Sequence, residues 1–299
     1  MVTLMSALFV LVALLVPIVP TPTQDAPPTV TMKVRSCTTS VNDSQPVALV
    51  CTLKIPEGWH IYWKNPGALG VPTTIEVDVP EGFKVQPALF PRPMVIDEST
   101  EACYVYKNEV TLIQPILPPE SWSGDSDALP FKLTCTWFIC RDKCFIGSAE
   151  QTVMLPWTQT AMAPEPWARA LFDNPALPRP LKLRPKTTAE IRNGHLVIEG
   201  PPTKANAVGF IPDPTPGVVL GKPLVDPQED RLIMRIPVSV QPGNTLGEEP
   251  FAKGLLTFGE QATMSAYQVS VPIEIDTTEI ESIREQREQR EQREQREQP

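Results

Sequence analysis

Two cysteines near the middle of the chain, Cys140 and Cys144, are separated by three charged residues in the segment WFICRDKCFIG. The three charged residues are Arg141, Asp142 and Lys143. Thiols at this spacing can form a structural disulfide, hold a metal ion, or form a disulfide that opens and closes by thiol–disulfide exchange. Both flanking segments, KLTCTWFIC and CFIGSAEQTVML, have the composition of strands, so the chemistry depends on how these strands pair.

Antiparallel pairing of the two strands predicts a hairpin in which Cys140 and Cys144 oppose each other across a three-residue loop. Opposed residues lie about 4.5–5.5 Å apart at Cα, a distance that a disulfide can span. Such a bond closes a very short loop, so it contributes little to stability and costs the fold little to break. Arg141 and Lys143 favour the reactive thiolate by lowering the pKa of a nearby thiol, and Asp142 partly offsets them.

Large apolar residues around the pair are expected to limit access to it; they are Trp137, Phe138, Ile139, Phe145 and Ile146. Residue chemistry alone leaves three interpretations open for the pair. It can be a redox-active disulfide, an ordinary hairpin disulfide, or part of a metal site.

The composition, with 41% hydrophobic and 20% charged residues, predicts a folded globular protein, and its N-terminal segment predicts that the protein is exported. An apolar run of the secretory type lies within a predicted segment of residues 1–27, which is either a cleaved signal peptide or an N-terminal membrane anchor. Disulfides persist in oxidising compartments such as the periplasm, so the six cysteines are expected to be paired there. A net charge of −9 argues against nucleic acid as a partner.

The distribution of proline predicts an all-β protein. Most of the 36 prolines lie between short apolar runs, which favours many short strands over long helices. We predict an antiparallel β-sandwich over residues 28–158 and a second, smaller β-rich module over residues 179–277. A linker over residues 159–178 holds one short amphipathic helix, with Trp167, Ala170 and Leu171 on one face. The REQ repeats of residues 278–299 predict a solvated tail without a fold of its own.

Several segments of the first half resemble the periplasmic N-terminal domain of the DsbD and ScsB family of thiol:disulfide interchange proteins. They are GWHIYWKNPG, FPRPMVI, YVYKNEVTLIQPI and WFICRDKCFIGSAEQTVMLP, within roughly residues 29–156. The stretch from GFIPD to AYQVSVPIEI is similar, more weakly, to the second module of the ScsB branch. The resemblance implies an immunoglobulin-like sandwich and a connection to cytochrome c biogenesis. It also implies a cysteine pair that accepts electrons from a thioredoxin-like or DsbD-type membrane donor and passes them to oxidised envelope proteins.

Carried over to this sequence, the resemblance makes Cys140 and Cys144 the redox pair, with Cys144 forming the mixed disulfide with partners. It implies no metal and no cofactor, since the chemistry is sulfur exchange. A loop near residues 97–103 would cover the pair, although it lacks the aromatic tip that such a cap can carry. Family members usually continue into a multi-helix membrane domain and a thioredoxin domain with a CxxC motif. Neither is present in this sequence. We therefore expect either a separate chain that supplies the electrons, or a domain that has been kept for binding and has lost its redox role.

The remaining cysteines are structural candidates. Cys37 and Cys51 flank a hairpin loop and are predicted to bond across it, which leaves Cys103 and Cys135 as the second pair. Cys103 also falls within the expected cap, so a resolving role for it stays open. Six cysteines allow fifteen connectivities, and the sequence does not select one of them.

His60 is predicted to lie on the same strand face as Tyr62, where a packed histidine is the simplest expectation and a base or ligand near the cysteines is the alternative. Two thiolates and a histidine suit Cu(I), a soft ion, so a copper carrier is one rival function. The other rival is a redox-inactive β-sandwich that binds a partner in the cell envelope.

Overall fold

The computed structural model describes residues 27–67, 70–98, 101–122, 128–160, 162–174, 176–180, 187–201, 208–214, 218–240, 251–258 and 265–274. The predicted export segment, apart from residue 27, and the predicted REQ tail lie outside these ranges. Across the ranges given, no helix combines the length and the apolar character needed to cross a membrane.

The first module is built from short strands separated by proline-rich and glycine-rich turns. In the described residues these strands are β1 (Thr31–Ser36), β2 (Val47–Lys54), β3 (His60–Gly67), β4 (Thr74–Asp78), β5 (Lys84–Val85), β6 (Met94–Glu98), β7 (Glu101–Lys107), β8 (Glu109–Leu117), β9 (Ala128–Cys140) and β10 (Cys144–Pro156).

These strands form two facing antiparallel sheets. One has the order β1-β2-β8-β5, and the other has the order β10-β9-β3-β7-β6, with β4 paired to β9. The orders β1-β2-β8-β5 and β10-β9-β3 match the ABED and GFC sheets of the immunoglobulin fold, in which β2, β3 and β9 take the places of strands B, C and F. The β6–β7 hairpin extends the second sheet beyond β3. The predicted immunoglobulin-like, all-β fold is confirmed.

Side-chain alternation along each strand separates the sandwich core from the outer faces of the sheets. Along β9, every second residue from Leu129 to Ile139 lies in the core between the sheets. The intervening Phe138, and Cys140 at the strand end, belong to a separate apolar cluster on the outer face. The strand that ends at the cysteine pair therefore contributes to two different environments.

The described part of the linker contains the helix α1 (Pro166–Phe172), which begins with proline in its first turn. It packs on the outer face of the β1–β2–β8 sheet, where Ala168 is fully buried and Trp167 and Leu171 are partly buried. The sequence-based choice of Ala170 for this face was wrong, because Ala170 is exposed and Ala168 takes its place.

The second module is also antiparallel in most of its pairings. In the described residues its strands are β11 (Arg179–Pro180), β12 (Thr188–Arg192), β13 (His195–Gly200), β14 (Val208–Pro212), β15 (Val218–Leu220), β16 (Leu224–Pro227), β17 (Leu232–Val240), β18 (Phe251–Phe258) and β19 (Ser265–Glu274). The main order is β14-β18-β19-β12-β13-β17-β15, with β12 parallel to β19. A separate apolar core fills this module.

The two modules pack against each other through β3 of the first and β14 of the second. Ile211 and Leu255 from the second module join the core cluster of the first. Lys64 forms an ion pair with Asp213 at 2.6 Å, and the side-chain amide of Asn65 donates a hydrogen bond to the carbonyl of Pro212 at 2.7 Å. The WKNPG part of the signature run therefore anchors the second module.

Candidate functional site

The β9–β10 hairpin places Cys140 and Cys144 at its tip. The two strands pair without a break from Ala128 opposite Pro156 to Cys140 opposite Cys144. The backbone N–H of Arg141 donates to the carbonyl of Lys143 at 3.2 Å and closes the three-residue loop. The two cysteines form a disulfide with a Cα–Cα distance of 4.2 Å. The predicted hairpin and the predicted opposition of the two thiols are confirmed.

The two sulfurs of this bond differ in exposure. Cys140 is 2% exposed because β9 has β10 on one side and β3 on the other. Cys144 is exposed because it begins β10, which is the edge strand of the sheet. A partner thiolate approaching from solvent therefore reaches Cys144 before Cys140.

Aromatic side chains surround Cys140 on its own face of the sheet. His60 is the residue opposite Cys140 in the β3–β9 ladder, so the two side chains lie on the same face. The His60 ring meets Tyr62 edge-on at 5.2 Å, and Tyr62 stacks on Phe138 at 6.2 Å. His60 is buried, as expected for a packed histidine, and it adjoins the buried member of the disulfide.

The loop that follows β3 covers Tyr62. A Cβ atom at Gly70 would overlap the Tyr62 ring, and Gly70 also has a φ of +98°, so glycine is required at this position on two counts. The hydroxyl of Thr73 donates to the carbonyl of Tyr62 at 2.6 Å and holds the same loop against β3. The described part of this loop thus closes over the aromatic cluster beside Cys140.

Trp137 does not belong to the surroundings of the disulfide. It lies in the sandwich core, on the opposite face of β9 from Cys140. Its indole covers Gly147, where an added Cβ would overlap the ring. Ile139 is likewise a core residue. On the face of the disulfide, Phe138 is partly buried and Ile146 is 75% exposed, whereas Phe145 packs against the core on the other face. The predicted shielding by all five apolar residues is therefore wrong for all of them except Phe138.

The two cations of the loop point into solvent. The guanidinium of Arg141 lies over the ring of Trp59 at 4.7 Å and forms an ion pair with Asp142 at 3.0 Å. Lys143 is exposed. Arg141 thus has two partners other than the sulfurs, and its effect on a thiol pKa stays a prediction.

The remaining cysteines are not in disulfides, which corrects the expected pairing. Cys51 faces the sandwich core, whereas Cys37 lies on the outer face of the same sheet against α1. A bond between Cys37 and Cys51 would have to pass through the sheet. Burial raises the pKa of the Cys37 thiol to about 11, and the nearby Arg35 opposes this shift only in part.

Cys103 and Cys135 are likewise on opposite faces of their sheet. Cys103 lies in the outer-face cluster with Tyr62 and Cys140, and Cys135 lies in the core. A hydrogen bond between Cys135 and Cys51, together with burial, raises the pKa of Cys135. The tip of the expected cap, residues 99–100, lies outside the described residues. In the ranges that the structure describes, no three His, Cys, Asp or Glu side chains are grouped to hold a metal ion.

Sequence reasoning missed two features of the site. It did not find the contact between Cys51 and Cys135, although each residue alternates in step with core leucines on its own strand, such as Leu53 and Leu133. It also missed the ion pair of Lys64 with Asp213, because nothing in the sequence shows that two segments so far apart come together.

Comparison with known proteins agrees with the geometry. The family model "Thiol:disulfide interchange protein DsbD, N-terminal" matches residues 16–156. The crystal structure of the N-terminal periplasmic domain of ScsB from Proteus mirabilis is similar with a TM-score of 0.56 and 17% identity, over 80% of this chain and 93% of that one. The DsbD N-terminal domain of Neisseria meningitidis, in its reduced form, aligns at 17% identity over 44% of this chain and 90% of that one, with a TM-score of 0.27. Of these two structures, the ScsB domain is therefore the one that supports the shared fold. Comparison with curated proteins gives no match.

Proposed function

We propose that the Cys140–Cys144 bond exchanges electrons with other proteins of the cell envelope, because residues 16–156 match the family model of the N-terminal domain of thiol:disulfide interchange protein DsbD. The observation that carries this proposal is the unequal exposure of the two sulfurs at the hairpin tip. One sulfur is open to attack, and the other is a sheltered leaving group. A disulfide that only stabilises a hairpin does not require its two sulfurs to differ in exposure.

The reductive half of the reaction starts with a thiolate of a thioredoxin-like donor. It attacks Sγ of Cys144, the Cys140–Cys144 bond breaks, and Cys140 leaves and takes up a proton. The second thiolate of the donor then attacks the mixed disulfide and releases Cys144. Two electrons and two protons have passed to the pair, and the donor has become a disulfide.

The oxidative half runs the same chemistry onto a client. The Cys144 thiolate attacks a disulfide of an oxidised envelope protein, and Cys140 then resolves the mixed disulfide. Cys140 is buried among His60, Tyr62 and Phe138, whereas Cys144 is exposed, so Cys144 is the nucleophile that meets clients. The chemistry requires no cofactor, because electrons move only between sulfur atoms.

The outer face around the pair suits an extended partner surface. Ile146 is an exposed apolar residue opposite Phe138 in the β9–β10 ladder, and both are two residues from a cysteine on the same face. A thioredoxin-like protein that docks here would bury Ile146 while it presents its thiolate to Cys144. The donor can be a separate thioredoxin-like chain or a DsbD-type membrane protein in the export compartment.

The test is thiol trapping on the full-length chain. In a Cys140→Ala variant, the Cys144 thiolate should form a stable mixed disulfide with a thioredoxin-like donor that keeps one cysteine of its pair. That cysteine is supplied as its mixed disulfide with thionitrobenzoate, which leaves as the free thiolate when Cys144 attacks. The matched Cys144→Ala variant, which keeps only the buried thiol, should form none. The reduction potential of the wild-type pair should lie above about −300 mV, since more negative values are typical of structural bonds.

Three results would contradict the proposal. A potential below about −300 mV, with no trapping in Cys140→Ala, would indicate a redox-inactive interaction module. Trapping through Cys140 in the Cys144→Ala variant would reverse the roles of the two sulfurs. Stoichiometric Cu(I) binding by the reduced protein, lost in His60→Ala, would favour the copper carrier.

A further inference from the structure

Two thiols that take no part in the proposed exchange meet in the middle of the sandwich. Cys51 extends inward from β2 in one sheet, and Cys135 extends inward from β9 in the other. Both are fully buried, and their side chains are joined by a hydrogen bond. The two facing sheets therefore contact each other through these two side chains.

The strands that carry these thiols occupy particular places in the fold. β2 and β9 correspond to strands B and F of an immunoglobulin domain, and β3 corresponds to strand C. In antibody domains, a disulfide joins strands B and F, and a buried tryptophan from strand C packs against it. Here Trp63 on β3 is fully buried in the same core cluster as Cys51 and Cys135. All three elements of that arrangement are therefore present in this chain.

We propose that Cys51 and Cys135 form an intersheet disulfide when the chain folds in an oxidising compartment. The proposal depends on export but not on the redox role of Cys140 and Cys144. In the structure the two thiols are already neighbours in the core.

The oxidant is a disulfide, either of a protein or of glutathione. The thiolate of one cysteine attacks the oxidant and forms a mixed disulfide, and one thiolate leaves. The second cysteine then attacks its partner's sulfur and displaces the other thiolate. The sulfur–sulfur bond of the oxidant is broken, the Cys51–Cys135 bond is formed, and the oxidant takes up two electrons and two protons.

Burial decides when this bond can form. In the folded chain neither sulfur is accessible, and the hydrogen bond and burial that raise the pKa of Cys135 keep it protonated. A buried, protonated thiol reacts slowly, because the thiolate is the nucleophile. The bond must therefore form while the sheets are still closing, and once the sandwich is complete it is protected from the reductants that open the exposed Cys140–Cys144 bond.

The two other thiols provide an internal control. Cys37 lies against α1 on one outer face, and Cys103 lies in the cluster beside Cys140 on the other. Neither is placed in the core with the proposed pair. We therefore expect both to remain thiols in the oxidised protein.

Peptide mapping of the exported full-length chain tests the proposal. The protein is purified without reductant, denatured in an alkylating reagent, and digested with chymotrypsin, which cuts after aromatic residues and leucine. Cuts after Leu49 and Trp137 separate Cys51 from Cys37 and Cys135 from Cys140. The expected result is a peptide containing Cys51 joined to a peptide containing Cys135, with Cys37 and Cys103 alkylated. Alkylation of both Cys51 and Cys135, or a bond from either one to another cysteine, overturns the proposal.

A stability measurement gives a second, independent readout. The background is Cys140→Ala/Cys144→Ala, so that a reductant can act only on the proposed bond. Refolding this variant with a reductant should lower its Tm by about 10 °C relative to refolding with oxidised glutathione, because the bond closes a long loop. Adding Cys51→Ala and Cys135→Ala should abolish the difference. Equal Tm values in the background variant would contradict the proposal, and neither experiment depends on whether Cys140 and Cys144 exchange electrons.

Discussion

β9 carries two cysteines with opposite surroundings, and the comparison between them explains much of this molecule. Cys135 faces the core between the sheets, where it meets Cys51 from the other sheet. Cys140, at the end of the same strand, faces outward and bonds to the exposed Cys144. A bond at the hairpin tip closes a very short loop and can open at little cost to the fold, whereas a bond in the core would close a long loop. Strand alternation thus separates a site for exchange from a site for stability.

The largest expected effect concerns the exchange reaction itself. Cys144→Ala should reduce thiol–disulfide exchange with a reduced thioredoxin-like donor to the uncatalysed background, because the exposed sulfur is then missing. Cys135→Ala should keep the exchange rate of the wild type, since its sulfur lies on the other face of β9. The rates can be compared by following oxidation of the donor. Equal loss in both variants would show that the two faces of the strand are not independent.

The next effect concerns stability on the inner face. Trp63 is fully buried among core residues and meets Tyr104 edge-on at 6.1 Å. Trp63→Ala should lower the free energy of unfolding by about 3–5 kcal/mol, because it leaves a large cavity between the sheets. Phe138→Ala, on the partly buried outer face, should cost clearly less. Denaturant unfolding of both variants measures the difference, and a larger loss for Phe138→Ala would contradict this division of the molecule.

Much of the first module could be predicted because its signals are local. The all-β character follows from short apolar runs between prolines, and the hairpin tip follows from the short charged loop between two strand-like runs. The error over Trp137 was avoidable: it stands three residues before Cys140, and an odd spacing along a strand places two side chains on opposite faces.

The partners of the other cysteines could not be predicted in this way. Local reasoning joined Cys37 to Cys51 because they flank one loop, but the fold places them on opposite faces of a sheet. The contact between Cys51 and Cys135 depends on how two sheets pack, which brings together residues far apart in sequence. Long-range contacts of this kind are fixed by the whole sandwich and not by any segment of it.

Gly147 tests how tightly the inner face is packed next to the reactive hairpin. Because a Cβ at this position would overlap the Trp137 indole, Gly147→Ala should lower the free energy of unfolding by about 1–3 kcal/mol. Ile146→Ala at the neighbouring exposed position should change it by no more than about 0.5 kcal/mol. Denaturant unfolding checks both values. Equal effects would mean that the indole can move away from Gly147 without loss.

A pH dependence of the free energy of unfolding is expected from Cys37, which is buried against α1 on the outer face of the β1–β2–β8 sheet. Because burial raises its pKa from 9.0 to about 11, the folded state keeps the proton that the unfolded state loses between these values. Stability from this group is therefore complete below about pH 9 and falls as the pH rises toward 11, by up to about 2 kcal/mol. Burial raises the pKa of Tyr104 and Tyr106 as well, so both contribute to the total loss at high pH.

The Cys37 contribution can be isolated by difference. Free energies of unfolding are measured at about pH 8 and about pH 10.5 for the wild type and for Cys37→Ala. The variant should lose less stability over this interval, because it lacks the thiol and keeps both tyrosines. An equal loss in the two proteins would show that the thiol titrates normally in the folded state.

The smallest effect is expected at the junction between the modules, on the strand that also carries His60. Lys64 and Asp213 are partly buried, and the side-chain amide of Gln268 donates a second hydrogen bond to Asp213 at 2.8 Å. Lys64→Met should lower the free energy of unfolding by about 1 kcal/mol, because the carboxylate loses its cation in a half-desolvated setting. Lys132→Met, which removes an exposed ion pair with Glu150 at 2.9 Å, should lower the free energy of unfolding clearly less.

The salt dependence of the two substitutions should also differ. The effect of Lys132→Met should disappear at about 1 M salt, where exposed charges are screened, whereas the effect of Lys64→Met should persist because its pair is shielded from solvent by the second module. Exchange through Cys144 should be unchanged in both variants, since the hairpin tip is held by β9 and β10 and not by the junction. If Lys64→Met slows exchange, then the second module supports the outer face of the sandwich through β3. The junction between the modules would then have to be grouped with the reactive hairpin tip and not with the stabilising core.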